Sequence, residues 1–335
     1  MSKPHSSPSA VASPATREAF VSTLRNIVTG AFALALIALG FVRRAKQRAL
    51  QPGIITAVYF HNPNRSLFEF CVRWLMHNGF HFVSSEEVAA ALYEGRRLPL
   101  GAIWLSFDDG YRSTLDNVMP VVKQLNIPVT IFPVTQAVET GVFWFRAAGL
   151  VSRAFVDRLW RIPSGERLRL VVPLLDTCGG VSQSLSTSDL KELAASSLVT
   201  FGSHTATHPD MRTCSDAELD TELQSSRDLL HSWTGGRIDV FSYPRGHYDE
   251  RCLGAVRRGG FRLAVTTEAE FIDRSSNPLS LSRFAVANNI SRVEAVCCMV
   301  GVWLPFVSKL KRLACSATAS ITQRPSPFAQ KGQPV

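Results

Sequence analysis

From residue 54 onward, short apolar, β-branched runs alternate with segments of helical period, and that alternation leaves few architectures open. Residues 54–60, 102–107 and 129–134 have the length and composition of buried strands. Between them, residues 67–78 carry apolar side chains at helical spacing and stop at Gly79. A second helix opens at Ser85-Glu86-Glu87 and runs to Gly95, and a third covers 117–125. Strand–helix–strand order of this kind implies parallel strands joined by crossover helices. Further strands are expected at 198–201, 240–244, 263–267 and 279–286, with helices at 188–193, 216–231 and 291–313. Between 141 and 197 the pattern loosens: Trp144, Phe145, Leu159 and Trp160 suggest inserted helices, and 168–175 reads as a short strand. The fold class is α/β. Such folds build their sites from the residues that follow the C-terminal ends of strands.

Two of those places carry chemistry. The strand at 102–107 runs into Ser106-Phe107-Asp108-Asp109-Gly110, and the strand at 198–201 runs into His204-Thr205-Ala206-Thr207-His208. Asp-Asp-Gly alone is common in turns, and H-x-x-x-H alone recurs by chance on helices. Their shared position after strands of one frame opens both onto the same face of the sheet. Two imidazoles and one carboxylate suit Zn²⁺ with a coordination position left open. The second carboxylate is then free to act as a base. The residues therefore predict a metal hydrolase; the competing reading makes them turn and capping residues.

Over residues 54–307 the chain resembles the NodB-homology polysaccharide deacetylase family, carbohydrate esterase family 4. Ser106-Phe107-Asp108-Asp109-Gly110 is similar to that family's T-F-D-D-G motif, and residues 202–208 resemble its histidine motif. Phe241-Ser242-Tyr243-Pro244-Arg245-Gly246 is similar to its third motif, F-x-Y-P-x-G. Tyr59-Phe60-His61 resembles the Y-H start of a circularly arranged subgroup. The resemblance implies a distorted (β/α) barrel of about seven strands. It implies one divalent metal ion, zinc first with cobalt or nickel as alternatives. The implied reaction removes acetyl groups from an N-acetylated or O-acetylated sugar of a polysaccharide, oligosaccharide or glycolipid. By position, Asp109, His204 and His208 would bind the metal, Asp108 would be the base and His61 the proton donor. Tyr243, Pro244 and Arg245 would form the oxyanion and substrate segment, through the backbone N–H of Arg245. There are departures. The arginine that commonly precedes the third-motif proline is missing, and Arg283, in Leu281-Ser282-Arg283-Phe284, is the candidate to orient the base instead. Arg245 stands where an aromatic residue is usual, Phe60 separates Tyr59 from His61, and the tryptophan-containing fourth motif is not evident. A glycan-binding pseudoenzyme and an amide hydrolase with a non-sugar substrate are the alternatives.

Ahead of the barrel the composition changes. Residues 1–19 are rich in Ser, Pro and Ala and read as disordered. Residues 20–48 read as a hydrophobic membrane anchor with a basic flank: 27–42 is almost uninterruptedly apolar, and Arg43, Arg44, Lys46 and Arg48 follow. The apolar run is slightly short of the about 20 residues of a spanning helix, and no good cleavage site follows it. A signal peptide and a packed or interfacial helix are the other readings. The positive-inside rule favours the cytoplasmic face for the domain at 52–314, with a periplasmic or extracellular face left open. Residues 315–335 read as a disordered tail. The formal net charge of +9 favours anionic surfaces, phospholipid or phosphorylated glycan, and no nucleic-acid motif accompanies it. The expected partners are thus an acetylated glycan and a lipid membrane, and not nucleic acid. Seven cysteines without pair spacing are read as mostly small buried apolar residues, which favours a reducing environment.

Overall fold

β1 (Ile55–Phe60) and β3 (Ala102–Asp109) are buried along their whole length, as unbroken apolar strands in a parallel sheet must be. The computed structural model describes residues 14–175 and 182–307. β3 pairs in parallel with β1 from Ala102 to Phe107 and with β4 (Val129–Pro133) from Ser106 to Asp109. β4 continues to β5 (Val199–Phe201), and β1 takes β8 (Phe284–Ala285) on its other side. β6 (Val240–Ser242) and β7 (Leu263–Val265) form a separate parallel pair. Single parallel bridges, Ser203 to Phe241 and Val265 to Leu281, join the two sheets at both seams. Hydrogen bonding thus runs round a distorted ring of seven strands, in agreement with the expected fold. β2 (His81–Phe82), absent from the sequence reading, adds two residues beside the start of β3.

Period-two alternation sorts the side chains. Ile55 and Ala57 of β1 and Ala102 and Trp104 of β3 point inward, with Phe132, Val240, Leu263, Val265 and Leu281 from the other strands. Val58, Phe60, Ile103, Leu105 and Phe107 point outward into the main core beneath the helices.

Two helices, α1 (Pro14–Ala38) and α2 (Phe41–Ala49), precede the ring. α3 (Arg65–His77) and α4 (Ser85–Tyr93) lie between β1 and β3, and a π-turn at Thr114–Val118 with α5 (Met119–Leu125) leads to β4. α6 (Thr135–Thr140), α7 (Trp144–Val151), α8 (Arg153–Leu159), α9 (Ser164–Leu175) and α10 (Thr187–Ala194) separate β4 from β5. α11 (Asp216–Thr234), α12 (Glu250–Arg258) and α13 (Arg292–Met299) follow in the second half of the chain. Ser84, Ser186 and Ser215 start α4, α10 and α11 with capping boxes.

Three expectations change. Residues 168–175 are helical, within α9. Arg167 and Val171, four apart, share its buried face, and a short apolar run cannot be assigned by period alone. The expected helix at 291–313 is interrupted: α13 ends at Met299, the chain turns at Gly301 (φ 73°), where an added Cβ would stand 2.4 Å from the Phe284 ring, and residues 303–307 are helical again, with 308–313 outside the described residues. The expected strand at 279–286 is reduced to a two-residue ladder and the bridge at Leu281.

The N-terminal apolar stretch shares the main core. α1 begins at Pro14, ahead of residue 20, and Ala33, Leu36, Val42 and Ala49 are buried in the same cluster as α13. Phe32 meets Trp303 edge-on, Phe41 meets Phe306, and Glu294 accepts from Arg25 Nη2 (3.2 Å) and Thr29 Oγ1 (2.8 Å). No single described helix is long and apolar enough to cross a membrane; Arg25–Ala38 and Phe41–Ala49 meet at 68°. Residues 1–13 and the expected tail at 315–335 lie outside the described residues. Cys71, Cys214, Cys252, Cys297 and Cys298 are all free and buried, as expected of small apolar side chains.

Candidate metal and active site

The inward alternation of β3 brings Ser106 and Asp108 to the mouth of the barrel, where Arg283 meets them. Arg283 is 0% exposed. Its Nη1 donates to Asp108 Oδ1 and its Nη2 to Asp108 Oδ2, both at 2.8 Å, a bidentate fork. The remaining N–H groups reach Ser106 Oγ (2.9 Å), Ser242 Oγ (3.0 Å) and Thr266 O (3.0 Å). The guanidinium lies 4.3 Å from the centre of the Tyr59 ring. Burial pushes the Asp108 pKa up, but the charge and hydrogen bonds of Arg283 outweigh it and hold the carboxyl below its ordinary value.

Asp109 breaks the alternation. Its φ of 69° turns the carboxylate away from Asp108 and toward the histidine loop. Asp109 Oδ1 lies 3.5 Å from Nε2 of His204 and 3.5 Å from Nε2 of His208. That oxygen is buried and has no hydrogen-bond partner. The donor set passes a simple test of fit: two ligand atoms about 2.0–2.1 Å from a tetrahedral zinc stand about 3.4 Å apart. His204 Nδ1 donates to Ser242 O at 2.7 Å, which turns its Nε2 lone pair to the cluster. Burial, with His204 beside it, lowers His208 to about 3, so this imidazole is neutral at neutral pH, as a ligand must be. Burial also disfavours a proton on His204, but the Asp109 carboxylate 3.5 Å away and the charge of Asp108 raise its pKa; a metal held here would take that proton's place.

The histidine loop is clamped from behind. The Thr207 N–H donates to Glu222 Oε2 at 2.8 Å, and the Thr207 hydroxyl donates to the same carboxylate. Arg167 donates to Thr207 Oγ1 and Ser164 Oγ, both at 2.8 Å, while Trp144 donates to Thr207 O. Thr205 and His208 hold positive φ (66° and 54°), as do Asp109 and Arg245. Four of the five non-glycine residues with positive φ among those described therefore sit here, and such strain persists only where surrounding contacts over-determine it.

Of the third motif, Arg245 reaches the cavity; the Tyr243 and Pro244 side chains do not line it. Tyr243 is fully buried, stacks on Tyr248 and donates to Leu279 O at 3.0 Å. The turn bonds run from Gly246 N–H to Tyr243 O and from His247 N–H to Pro244 O, so neither uses the Arg245 N–H. Gly246 is required here: a Cβ would lie 2.1 Å from Thr267 Oγ1. His61, at the end of β1, lines the cavity, and its ring makes no hydrogen bond among the described residues. Asn288 fixes the following residue through Asn62 N–H at 2.9 Å. His247 is turned instead to Asp210, 3.2 Å away, in a cluster with Arg212.

The cavity, about 290 Å³, is lined by Asp108, Asp109, His204, His208, His61 and Arg245, with Tyr111, Thr267 and Asn288 at its edges. One wall was not foreseen as part of the site. Phe145 and Trp160, from the helical insertion, bring their rings to 5.3 and 5.5 Å from that of His208. Arg245 lays its guanidinium 4.7 Å from the Trp160 ring centre. The pair of aromatics between 144 and 160 was the available signal, but nothing local says which way the insertion folds.

Residues 96–264 match the family model described as polysaccharide deacetylase. In sequence the chain is 22% identical over 224 residues to YxkH of Bacillus subtilis (strain 168), across 67% of this chain and 65% of that protein. It is 25% identical over 226 residues to a poly-β-1,6-N-acetyl-D-glucosamine N-deacetylase of Escherichia coli (strain K12), across 66% of this chain. The chain thus spans 65% of the first relative's length and 33% of the second's. In structure it is similar to the Streptococcus pyogenes deacetylase PplD, solved in complex with acetate, with a TM-score of 0.58 and 22% identity. That match covers 74% of this chain and 99% of the other, and the likeness is one of fold.

Proposed function

The chain belongs to the polysaccharide deacetylase family, and on that premise we propose that it is a metal-dependent hydrolase removing acetyl groups from an N-acetylated sugar of a polysaccharide. The observation that carries this reading is the pairing of two carboxylates in different states. Asp109 has an orphaned oxygen facing two imidazoles, whereas Asp108, next in sequence, is held ionised by a bidentate arginine. A binding protein has no use for a base beside a ligand set. The naming of the E. coli relative for an N-acetylglucosamine polymer supports the amino-sugar class.

Asp109, His204 and His208 would hold the ion, zinc being the best match to one oxygen and two nitrogens. A divalent metal bound there supplies a Lewis acid for the acetyl carbonyl and brings the pKa of water from about 15.7 toward 7. Asp108 accepts the proton of the attacking water, and Arg283 keeps its carboxylate ionised and aimed. The water oxygen adds to the acetyl carbon, the carbon–nitrogen bond breaks, and acetate leaves. The leaving amine needs a proton, for which His61, among the residues lining the cavity, is the donor. The Arg245 N–H, unused by the bonds of its own turn, is free to stabilise the developing oxyanion; such a donor is worth about 10²–10³ in rate. Phe145 and Trp160 offer flat apolar faces to a sugar ring.

The test is acetate release from a panel of acetylated glycans, with metal content measured on the same preparation. Acetate release that disappears on chelation and returns with zinc is expected. Metal-loaded protein that liberates no acetate from any amino-sugar polymer would sink the reading.

A further inference from the structure

α1 buries one face and leaves the other bare. Thr29, Ala33 and Leu36 turn to the core and to Glu294. On the opposite side Ile27, Val28, Leu34 and Leu39 are exposed by 57–68%, with the exposed Ala31, Ala35 and Ala38 filling the strip between them. From Ile27 to Leu39 this strip holds no charged residue. Beyond the bend, Arg43 and Arg44 of α2 are exposed and make no ion pair among the described residues. Beside the helices runs an open groove whose lining includes Arg65, Arg292, Phe70 and Trp74. Lys46 bonds Asn78 at one end of it, and Gly30 of α1 packs against Ser291, next to Arg292, at the other.

We propose that this bare face of α1, with the arginines beside it, docks the protein in the plane of an anionic phospholipid surface without crossing the bilayer. An apolar helical strip bordered by arginine and aromatic side chains has the chemistry of an interfacial helix, apolar toward the acyl boundary and cationic at the headgroups. Spanning is opposed by the other face: Ala33, Leu36, Val42 and Ala49 would have to leave the core, and the 68° bend would have to straighten. A second copy of the chain fits less well. A strip about 18 Å long and about 10 Å wide offers about 180 Å² per copy, against the about 800 Å² per partner of a stable interface. The chain's net charge of +9 favours the same occupant.

The full chain is mixed with vesicles of phosphatidylcholine alone, or of phosphatidylcholine with phosphatidylglycerol, and sedimented. Binding to the anionic vesicles, weaker on neutral ones and weakened by salt, is expected, with release by alkaline carbonate. The double variant Ile27→Glu/Leu34→Glu alters only exposed side chains. It should lose at least about tenfold in vesicle affinity while keeping the melting temperature and metal content of the parent. Arg43→Glu/Arg44→Glu should abolish the preference for anionic lipid. The proposal is overturned if the double variant sediments like the parent, or if bound protein resists carbonate, which would mean a spanning helix. It is equally overturned if the parent is a dimer in solution that ignores vesicles and that the glutamates dissociate.

Discussion

Arg283 directs all five of its N–H groups into the barrel mouth, and two of them decide the state of Asp108. A guanidinium with no exposed surface cannot be exchanged for a surface residue, so Arg283→Gln should first cost stability. Removing one partner of a buried pair typically costs about 3–5 kcal/mol. The pH dependence has a definite sign. Asp108 has its pKa depressed in the folded state, so it contributes stability above the ordinary carboxylate range, lost as pH falls. The gap between parent and variant in urea midpoint should therefore be widest near neutrality and narrow in acid. With Arg283 gone, the main influence opposing burial at Asp108 is lost and its pKa should rise, so the acid limb of the rate profile should move to higher pH. Arg283→Lys should not restore the rate, since a point charge cannot replace the fork. An unchanged acid limb in Arg283→Gln would remove Arg283 from any role in tuning the base. The neighbouring carboxylate should behave differently. Asp108→Asn should retain the metal and lose about 10²–10⁴ in kcat, the usual worth of a general base, whereas His204→Ala or His208→Ala should lose the metal itself. Metal analysis beside turnover separates the two; if Asp108→Asn is the variant that loses metal, the roles are reversed.

At the scale of elements, the site depends on a helix that contributes no ligand. Glu222 of α11 accepts from the backbone and side chain of Thr207, between the two histidines. Glu222→Ala should leave the Thr207 N–H and the Ser164 hydroxyl short of a partner. The expected cost is about 1–3 kcal/mol in stability for an unsatisfied buried group and about 10–100-fold in metal affinity for a supporting residue. Titration with zinc checks it; unchanged affinity would mean that the loop holds its strained φ angles without the clamp. This dependence explains what could be read in advance. The candidate donor set was legible because each motif follows a strand, which opens both motifs onto one face of the sheet; the choice of Asp109 over Asp108 as ligand came from the family resemblance. Arg283 was legible by default, as the guanidinium on the last strand where the third motif lacks one. Glu222, Phe145 and Trp160 were not. Their positions follow from how α7, α8, α9 and α11 pack on the barrel, which no local period encodes. The same limit explains residues 168–175, an apolar run whose helical form follows from the fit of Val171 against Trp144, Ala148 and Leu159. Tyr243 shows the converse: its motif position was legible, but its side chain serves the core and leaves the site to Arg245.

Across the whole molecule, the apolar N-terminal stretch changes meaning once its packing is known. Read alone, residues 27–42 suggest a segment that could be removed without harm to the barrel behind it. In the fold, Leu36 and Val42 are buried with α13, and Phe32 and Phe41 cover Trp303 and Phe306. Burying a large aliphatic side chain is worth about 1.5–3 kcal/mol, so Leu36 and Val42 together account for about 3–6 kcal/mol. Domains are typically stable by only about 5–15 kcal/mol, and each kcal/mol moves Tm by about 2–4 °C in chains of this order of size. A chain beginning at Gln51 should therefore melt on the order of 10 °C below the full chain. It should also bind a hydrophobic dye through the uncovered face of α13. The candidate metal ligands lie on the other side of β1 and β3 from that core, so its metal content should survive at low temperature. The shortened chain is also expected to ignore anionic vesicles. Calorimetry on both chains gives the decisive comparison. Equal melting temperatures would mean that α1 and α2 rest on the barrel without supporting it, and their buried face would then be free to serve the membrane as well.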